Sequence, residues 1–213
     1  MDFITAERAL IFRITHIENV PWILENGVRC RRSSKVDPNF VNIGNVELIG
    51  KRAHRVVPMD PFGTLADYVP FYFTPGSPML LNIHTGYNGL RTVPNEQIVM
   101  IVSSLRKLQE MGRPFVFTDR HAYLVPARFS SDINDLAGLP WGLWQARDFK
   151  YDPERPDKMD RYQAEALVYR KVRVTDILAI AAFSEAAVDR VKGMADAAEA
   201  EVQVVRKRSW YFQ

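Results

Sequence analysis

The chain has 213 residues, of which 47% are hydrophobic and 11% are aromatic, and its formal net charge is +3. A chain of this length and composition can bury a substantial core, which excludes intrinsic disorder and favours one domain over residues 1–213. The longest apolar run, 177–183, is far shorter than the ~18 residues that a membrane span needs. The N-terminus lacks the pattern of a signal peptide and Cys30 is the only cysteine, so we expect a cytoplasmic protein without membrane association.

The predicted elements mix strands and helices without an internal repeat, which is typical of an α+β fold. Residues 9–16 are predicted to form a strand. The helix that follows begins near Asn19 and Pro21 and ends at Gly27, and a second helix is predicted over 46–57. The later predictions are strands at 68–74, 98–103, 114–118 and 201–206, helices at 104–111, 130–139 and 185–200, and a tryptophan-rich turn at 141–144.

A single carboxylate interrupts an apolar, strand-like segment late in the chain. Glu165 lies within 164–169, where its neighbours on both faces of the strand are apolar or aromatic. Because burying an unpaired carboxylate is costly, such a residue is usually paired, hydrogen-bonded or exposed in a cleft. The pattern is equally consistent with a strand at the edge of a sheet, where the carboxylate would face water. Glu165 is the first candidate for a functional residue.

Two earlier segments contain further candidates. Strand alternation places His16 at the end of an apolar row, a position more typical of a hydrogen-bonded core histidine than of a catalytic one. Tyr72 belongs to the aromatic segment 68–74, which ends in a turn rich in proline and glycine. Taken alone, that segment is more typical of a core strand than of a binding site.

Several familiar chemistries lack the sequence spacing that they require. The chain contains no Gly-x-Gly-x-x-Gly or Walker loop and no Gly-x-Ser-x-Gly elbow, and Cys30 has no hydrolase signature around it. The four histidines show no zinc spacing, so no metal is expected. Basic residues cluster at 29–35 and 206–208, where they either neutralise nucleic-acid phosphates or form a solvated surface.

The order of these motifs resembles that of a known enzyme family. A strand-borne His16, then Tyr72, then a strand-borne Glu165 resemble the His-Tyr-Glu triad of ADP-ribosyltransferases. The sequences at 68–79, 117–122 and 161–165 resemble the DarT family of DNA ADP-ribosyltransferase toxins, and the resemblance runs through essentially the whole chain. It implies an α+β, ADP-ribosyltransferase-like fold with a central split β-sheet and flanking helices.

The resemblance also implies an activity and a set of partners. Members of this family use NAD as a co-substrate to modify a base in single-stranded DNA, thymine in the best-known branch, and release nicotinamide. Each is the toxin of a toxin–antitoxin pair whose antitoxin is a macrodomain of the DarG type. We therefore expect NAD and single-stranded DNA as substrates, a macrodomain antitoxin as partner, and no metal.

Residue roles are carried over by the same resemblance. Glu165 would stabilise positive charge on the ribose and take a proton from the acceptor base. His16 would bind the adenosine-side ribose, with Thr15 and Asn19 close by, and Tyr72 would pack against the nicotinamide.

The resemblance also assigns the charged contacts. Arg52 would bind the pyrophosphate and orient the donor for catalysis, with Lys51 as the alternative counterpart. The segment 145–164 would face DNA. The predicted DNA contacts are Arg91, His121, Arg147 and Arg155.

Two alternatives remain open at the level of sequence. One is an ADP-ribosyltransferase whose acceptor is RNA, protein or water. The other is a noncatalytic nucleic-acid-binding domain that retains an inactive NAD pocket. A noncatalytic domain would not consume NAD, whereas a transferase with another acceptor would. Neither alternative would increase the mass of single-stranded DNA, as the predicted enzyme would.

Overall fold

The computed structural model describes residues 1–213, with the exception of the side chain of Asn88. Its ten strands are β1 (Leu10–His16), β2 (Val28–Arg29), β3 (Tyr68–Tyr72), β4 (Ile98–Ser104), β5 (Phe115–Thr118), β6 (Phe129–Ser130), β7 (Glu165–Tyr169), β8 (Lys171–Val172), β9 (Ala179–Ala182) and β10 (Gln203–Arg206). Eight of them form one sheet in the order β10-β9-β4-β1-β3-β7-β5-β6, and β2 pairs with β8. All neighbours in the large sheet are antiparallel except β9 and β10.

Seven α-helices flank the sheet. They are α1 (Val20–Asn26), α2 (Val46–Arg52), α3 (Pro78–Thr85), α4 (Leu105–Glu110), α5 (Trp141–Ala146), α6 (Lys158–Tyr162) and α7 (Glu185–Ala197). The mixed α+β class and most predicted strands and helices are therefore confirmed, with boundaries that differ by a few residues.

The first helix shows how local sequence sets its limits. Pro21 lies in the first turn, where its missing N–H costs no hydrogen bond, and Gly27 follows the last turn with φ of 72°. A Cβ atom at Gly27 would lie 2.4 Å from the carbonyl oxygen of Val172 on β8. The glycine thus ends α1 and allows the chain to pass directly against the small sheet.

Two predictions about helices were wrong in part. The second helix ends at Arg52 rather than near residue 57, because Val57 N–H bonds to Gly63 O and Val56 bridges to Thr64. The segment 130–139 forms β6 and then a 3₁₀ helix rather than an α-helix.

The tryptophan-rich segment is also different from its prediction. It is a helix, α5, and not a turn. The indole of Trp144 stacks on Phe73 at 5.2 Å with an interplanar angle of 6°, and the Trp141 indole N–H donates to Leu136 O. This tertiary packing stabilises a short helix whose own sequence does not favour one.

The centre of the sheet is split between β1 and β3. These strands share a single register pair, Phe12 with Tyr72, although β1 pairs with β4 along its whole length. On β3, Pro70 lies two residues before Tyr72 and has no N–H with which to continue the hydrogen-bond ladder to β1. The guanidinium of Arg13 donates instead to Pro70 O at 3.0 Å. A charged side chain thus replaces backbone pairing at the point where the sheet opens.

Candidate active site

Glu165 is the first residue of β7, an internal strand between β3 and β5. Its side chain is only 1% exposed, so the alternative of a water-facing edge strand is wrong. The antiparallel register sets Glu165 directly opposite Tyr72, and directly opposed residues share one face of a sheet. The sheet itself therefore brings together two candidates that lie far apart in the sequence.

Three groups surround the buried carboxylate. Arg52 Nη2 donates to Glu165 Oε2 at 2.5 Å, and the N–H of Ala122 donates to Oε1 at 3.0 Å. His121 Nδ1 lies 3.8 Å from Oε1. The backbone of Glu165 is held as well, because its N–H donates to Thr118 Oγ1 on β5 at 3.1 Å. A cation and a backbone dipole thus offset the cost of burying this charge.

The pKa values of the neighbouring groups reflect this arrangement. Burial alone would lower the pKa of Arg52, but the charge and the hydrogen bond of Glu165 raise it above its ordinary value. Burial lowers the pKa of His121, an effect that the nearby carboxylate only partly offsets. Burial and the carboxylate together raise the pKa of Tyr72 to about 12. At neutral pH the site therefore holds one anion beside a permanent cation, with a neutral imidazole and a neutral phenol.

A cavity of about 540 Å³ opens next to this cluster, within the range typical of small-molecule sites. Four of the predicted donor-site residues line it: Thr15, Asn19, Arg52 and Tyr72. Asn19 is buried and makes three hydrogen bonds: Nδ2 donates to Thr15 Oγ1 and to Val41 O, and Oδ1 accepts from Val41 N–H. It thereby ties the segment around Val41 to the wall of the cavity.

Sequence reasoning missed Arg13, which lines the same cavity beside Arg52 and Tyr72. Burial, together with the charge of Arg52, lowers its pKa to about 10 even though Tyr72 opposes the shift. Among the residues described by the structure, no carboxylate forms an ion pair with it. The signal was present, because Arg13 is the one arginine in a mostly apolar strand, and a charge within such a strand is the criterion that identified Glu165.

The structure places His16 outside the residues that line the cavity. Its Nδ1 accepts from Glu18 N–H at 3.2 Å, and its Nε2 lies 3.3 Å from Gln97 Oε1. The imidazole therefore caps the N-terminus of a 3₁₀ helix, Ile17–Asn19, that follows β1. Contact of His16 with a nucleotide stays a prediction.

Lys51 and Arg52 are clearly separated by the fold. Arg52 faces Glu165, whereas Lys51 is exposed and pairs with Glu47 one turn earlier on α2. Of the two candidates, only Arg52 lines the cavity. Because its partner here is Glu165, a role on the pyrophosphate stays a prediction.

Of the predicted DNA contacts, His121 borders the Glu165 carboxylate, whereas the three arginines have other surroundings. Arg147 donates to Ser209 O at 2.6 Å and packs against Phe212, and Arg155 pairs with Asp152. Arg91 is exposed in the loop after α3. Each of the paired arginines would have to exchange a local contact for a phosphate, so their contact with DNA stays a prediction.

Comparison with known proteins identifies the family. The family model of DarT, the ssDNA thymidine ADP-ribosyltransferase, matches residues 12–212. The chain belongs to the DarT family. A DNA ADP-ribosyl transferase of Escherichia coli O127:H6 is 46% identical over 206 residues, which cover 97% of this chain and 94% of that protein.

Solved structures of DarT have the same fold. Thermus sp. 2.9 DarT in complex with ADP-ribosylated ssDNA matches with a TM-score of 0.89 and 35% identity, covering 97% of both chains. Thermus sp. 2.9 DarT in complex with NAD+ matches with a TM-score of 0.81 and 35% identity, covering 97% of this chain and 98% of the other.

Throughout the described part of the chain, no group of three or more histidine, cysteine, aspartate or glutamate side chains is arranged to hold a metal ion. None of the helices described has the length and apolar character that crossing a bilayer requires.

Proposed function

We propose that this protein transfers ADP-ribose from NAD to a thymine base in single-stranded DNA, releases nicotinamide, and acts as the toxin of a toxin–antitoxin pair. Residues 1–213 would form one ADP-ribosyltransferase domain. The observation that carries the proposal is the buried Glu165 carboxylate, set opposite Tyr72 and beside a cavity of nucleotide size. The Thermus complexes contain NAD+ in one case and ADP-ribosylated ssDNA in the other, which correspond to the proposed donor and the proposed product.

The cavity suits an elongated anion with an aromatic end. Arg13 and Arg52 supply two guanidinium groups against a single carboxylate, which leaves an excess of positive charge for a pyrophosphate. Tyr72 offers an aromatic ring beside Glu165, where a flat nicotinamide can pack. Thr15 and Asn19 provide polar groups further along the wall. We assign these five residues to NAD and keep His16 as a candidate for the adenosine-side ribose.

The chemistry assigned to Glu165 follows from its charge and position. Breaking the bond between nicotinamide and ribose builds positive charge on the sugar, as in glycoside cleavage. A carboxylate fixed by Arg52 and by the N–H of Ala122 stabilises that charge without having to reorient. The same carboxylate is placed to accept the proton that the acceptor base loses when its nitrogen attacks the ribose.

The acceptor side lies where His121 and Ala122 border the carboxylate. An unpaired strand presents bases that are already unstacked, so a base can enter without the cost of opening a duplex. Because His121 borders the carboxylate, we keep it as a candidate DNA contact, together with Arg91, Arg147 and Arg155. We further propose a cytoplasmic location, where DNA and NAD meet, and a DarG-type macrodomain antitoxin that removes the modification.

A direct test uses purified protein, NAD and a panel of single-stranded oligonucleotides that differ in base composition. We expect nicotinamide release and a mass increase of one ADP-ribose on the oligonucleotides that contain thymine. Glu165→Gln is the matched control, because it preserves the shape of the side chain and removes its charge. Nicotinamide release without DNA labelling would overturn the acceptor, and labelling of RNA or protein alone would replace it. DNA binding without NAD consumption would indicate the noncatalytic alternative.

A further inference from the structure

One wall of the site lies outside the cavity and next to the carboxylate. The β5–β6 loop, residues 119–128, supplies the N–H of Ala122 to Glu165 at 3.0 Å. Hydrogen bonds hold the loop in place. His121 N–H donates to Asp160 O at 3.0 Å, and at the end of the loop Arg128 N–H donates to Asp119 Oδ1 at 3.0 Å. Groups on this loop therefore have fixed positions relative to the reacting centre.

Tyr123 is the exposed aromatic residue of this wall. The residue is 37% exposed, whereas the two preceding residues, His121 and Ala122, are buried. Its N–H donates to His121 Nδ1 at 3.1 Å, and the two rings meet edge to face at 6.4 Å. The aromatic ring of Tyr123 is thus held at the surface, next to the buried imidazole that borders Glu165.

The last turn of α2 forms the other flank of this surface. Arg52 reaches Glu165 from it, and Arg55 Nη2 lies 3.4 Å from Leu124 O, so the helix end packs along the loop. Lys51 is the residue before Arg52, and its side chain is 58% exposed. The hydrogen bond and charge of Glu47 raise the pKa of Lys51, which is therefore a cation on the same helix end that contacts the loop through Arg55.

We propose that Tyr123 and Lys51 form the docking surface for the nucleotide that flanks the target base of the acceptor strand. The flanking base stacks on the Tyr123 ring, and its phosphate lies by the Lys51 ammonium. This inference rests on the proposed function. A stacking ring beside a cation is the general scheme for binding single strands, and it accepts any base because every base has a flat face. Such a surface would hold the strand in position without restricting the flanking sequence.

The test compares a short oligonucleotide that contains one thymine with a thymidine mononucleotide, which has no flanking base. For Tyr123→Leu we expect the KM for the oligonucleotide to rise about 5- to 100-fold, the loss expected for one stacking contact. The kcat at saturation, the KM for NAD and the activity on the mononucleotide stay at wild-type values. Tyr123→Phe keeps the ring and stays near wild type. Lys51→Gln raises the oligonucleotide KM several-fold and lowers its salt dependence.

Phe62→Leu is the matched control, because Phe62 is an exposed aromatic residue outside the residues that line the cavity. An unchanged oligonucleotide KM in Tyr123→Leu would overturn the proposal, as would an equal rise in Phe62→Leu. A parallel rise in the KM for NAD would assign Tyr123 a structural role in the loop and also overturn it. If wild-type protein labels no oligonucleotide, the proposed function fails as well; if it does, these outcomes concern the docking surface alone.

Discussion

The ion pair between Arg52 and Glu165 provides the sharpest test of the site. Glu165→Ala removes the carboxylate, leaves the N–H of Ala122 without its acceptor, and leaves a guanidinium that is only 13% exposed without its partner. Removing one partner from a buried ion pair costs about 3–5 kcal/mol. At roughly 2–4 °C of Tm per kcal/mol for a chain of this size, we expect Glu165→Ala to unfold roughly 6–20 °C below wild type.

A double-mutant cycle identifies the origin of that loss. Arg52→Met combined with Glu165→Ala removes both charges and fills part of the space, so we expect the double variant to be more stable than Glu165→Ala alone. Glu165→Gln keeps an oxygen that can accept from Ala122, and its stability should lie between wild type and Glu165→Ala. Thermal and urea unfolding of wild type, Arg52→Met, Glu165→Ala and the double variant gives the coupling free energy.

The same protein samples are assayed for nicotinamide release and DNA labelling. If, as proposed, the carboxylate acts mainly on charge that develops in the transition state, Glu165→Gln should lose at least about 100-fold in kcat while its affinity for NAD stays near wild type. If Glu165→Ala is as stable as wild type and the double variant gains nothing, the pair does not offset burial as argued. Full kcat in Glu165→Gln would refute the catalytic assignment.

Three further predictions concern the donor site, the pH dependence and the fold. Arg13→Ala should raise the Kd for NAD by roughly 10- to 100-fold, since a bond to a charged group contributes about 1.5–3 kcal/mol, and calorimetry with NAD alone measures this. Burial lowers the pKa of His121 below its ordinary 6.5, so the folded state protonates later than the unfolded chain and loses stability as pH falls from 6.5 through the folded pKa. His121→Gln should flatten that part of the Tm profile, whereas the exposed His84→Gln should not. Gly27→Ala should destabilise by more than about 1 kcal/mol in urea unfolding, whereas Gly193→Ala, with open space around a helical Cβ, should stabilise by about 0.4–1 kcal/mol.

The parts of the fold that the sequence predicts are those with a local cause. The continuous apolar run of β4 is typical of a strand buried on both faces, and the limits of α1 follow from Pro21 and Gly27. Glu165 was identifiable because a charge inside an apolar strand requires an explanation. These signals depend on neighbouring residues and on the chemistry of each residue type, so one sequence is sufficient to detect them.

The parts that the sequence does not predict depend on distant partners. Arg52 and Glu165 are 113 positions apart, and only the strand order and the end of α2 bring them into contact. That helix stops early because the backbone of Val56 and Val57 pairs with residues 63–64 rather than continuing the helix. The place of Arg13 likewise follows from the missing ladder at Pro70. Each of these features is a tertiary contact that overrides a local preference.

The charges around Glu165 are compatible with the proposed binding of an anionic donor beside a catalytic carboxylate. Arg13 and Arg52 contribute two positive charges, Glu165 contributes one negative charge, and the lowered pKa of His121 keeps the imidazole neutral. The cluster is therefore net positive, which favours a pyrophosphate, while the carboxylate lies beside Tyr72, where the ribose would become cationic. A protonated His121 would add a third cation next to Glu165 and oppose both the developing ribose charge and proton acceptance from the base. Burial of that histidine is thus part of the same electrostatic arrangement as the Arg52–Glu165 pair.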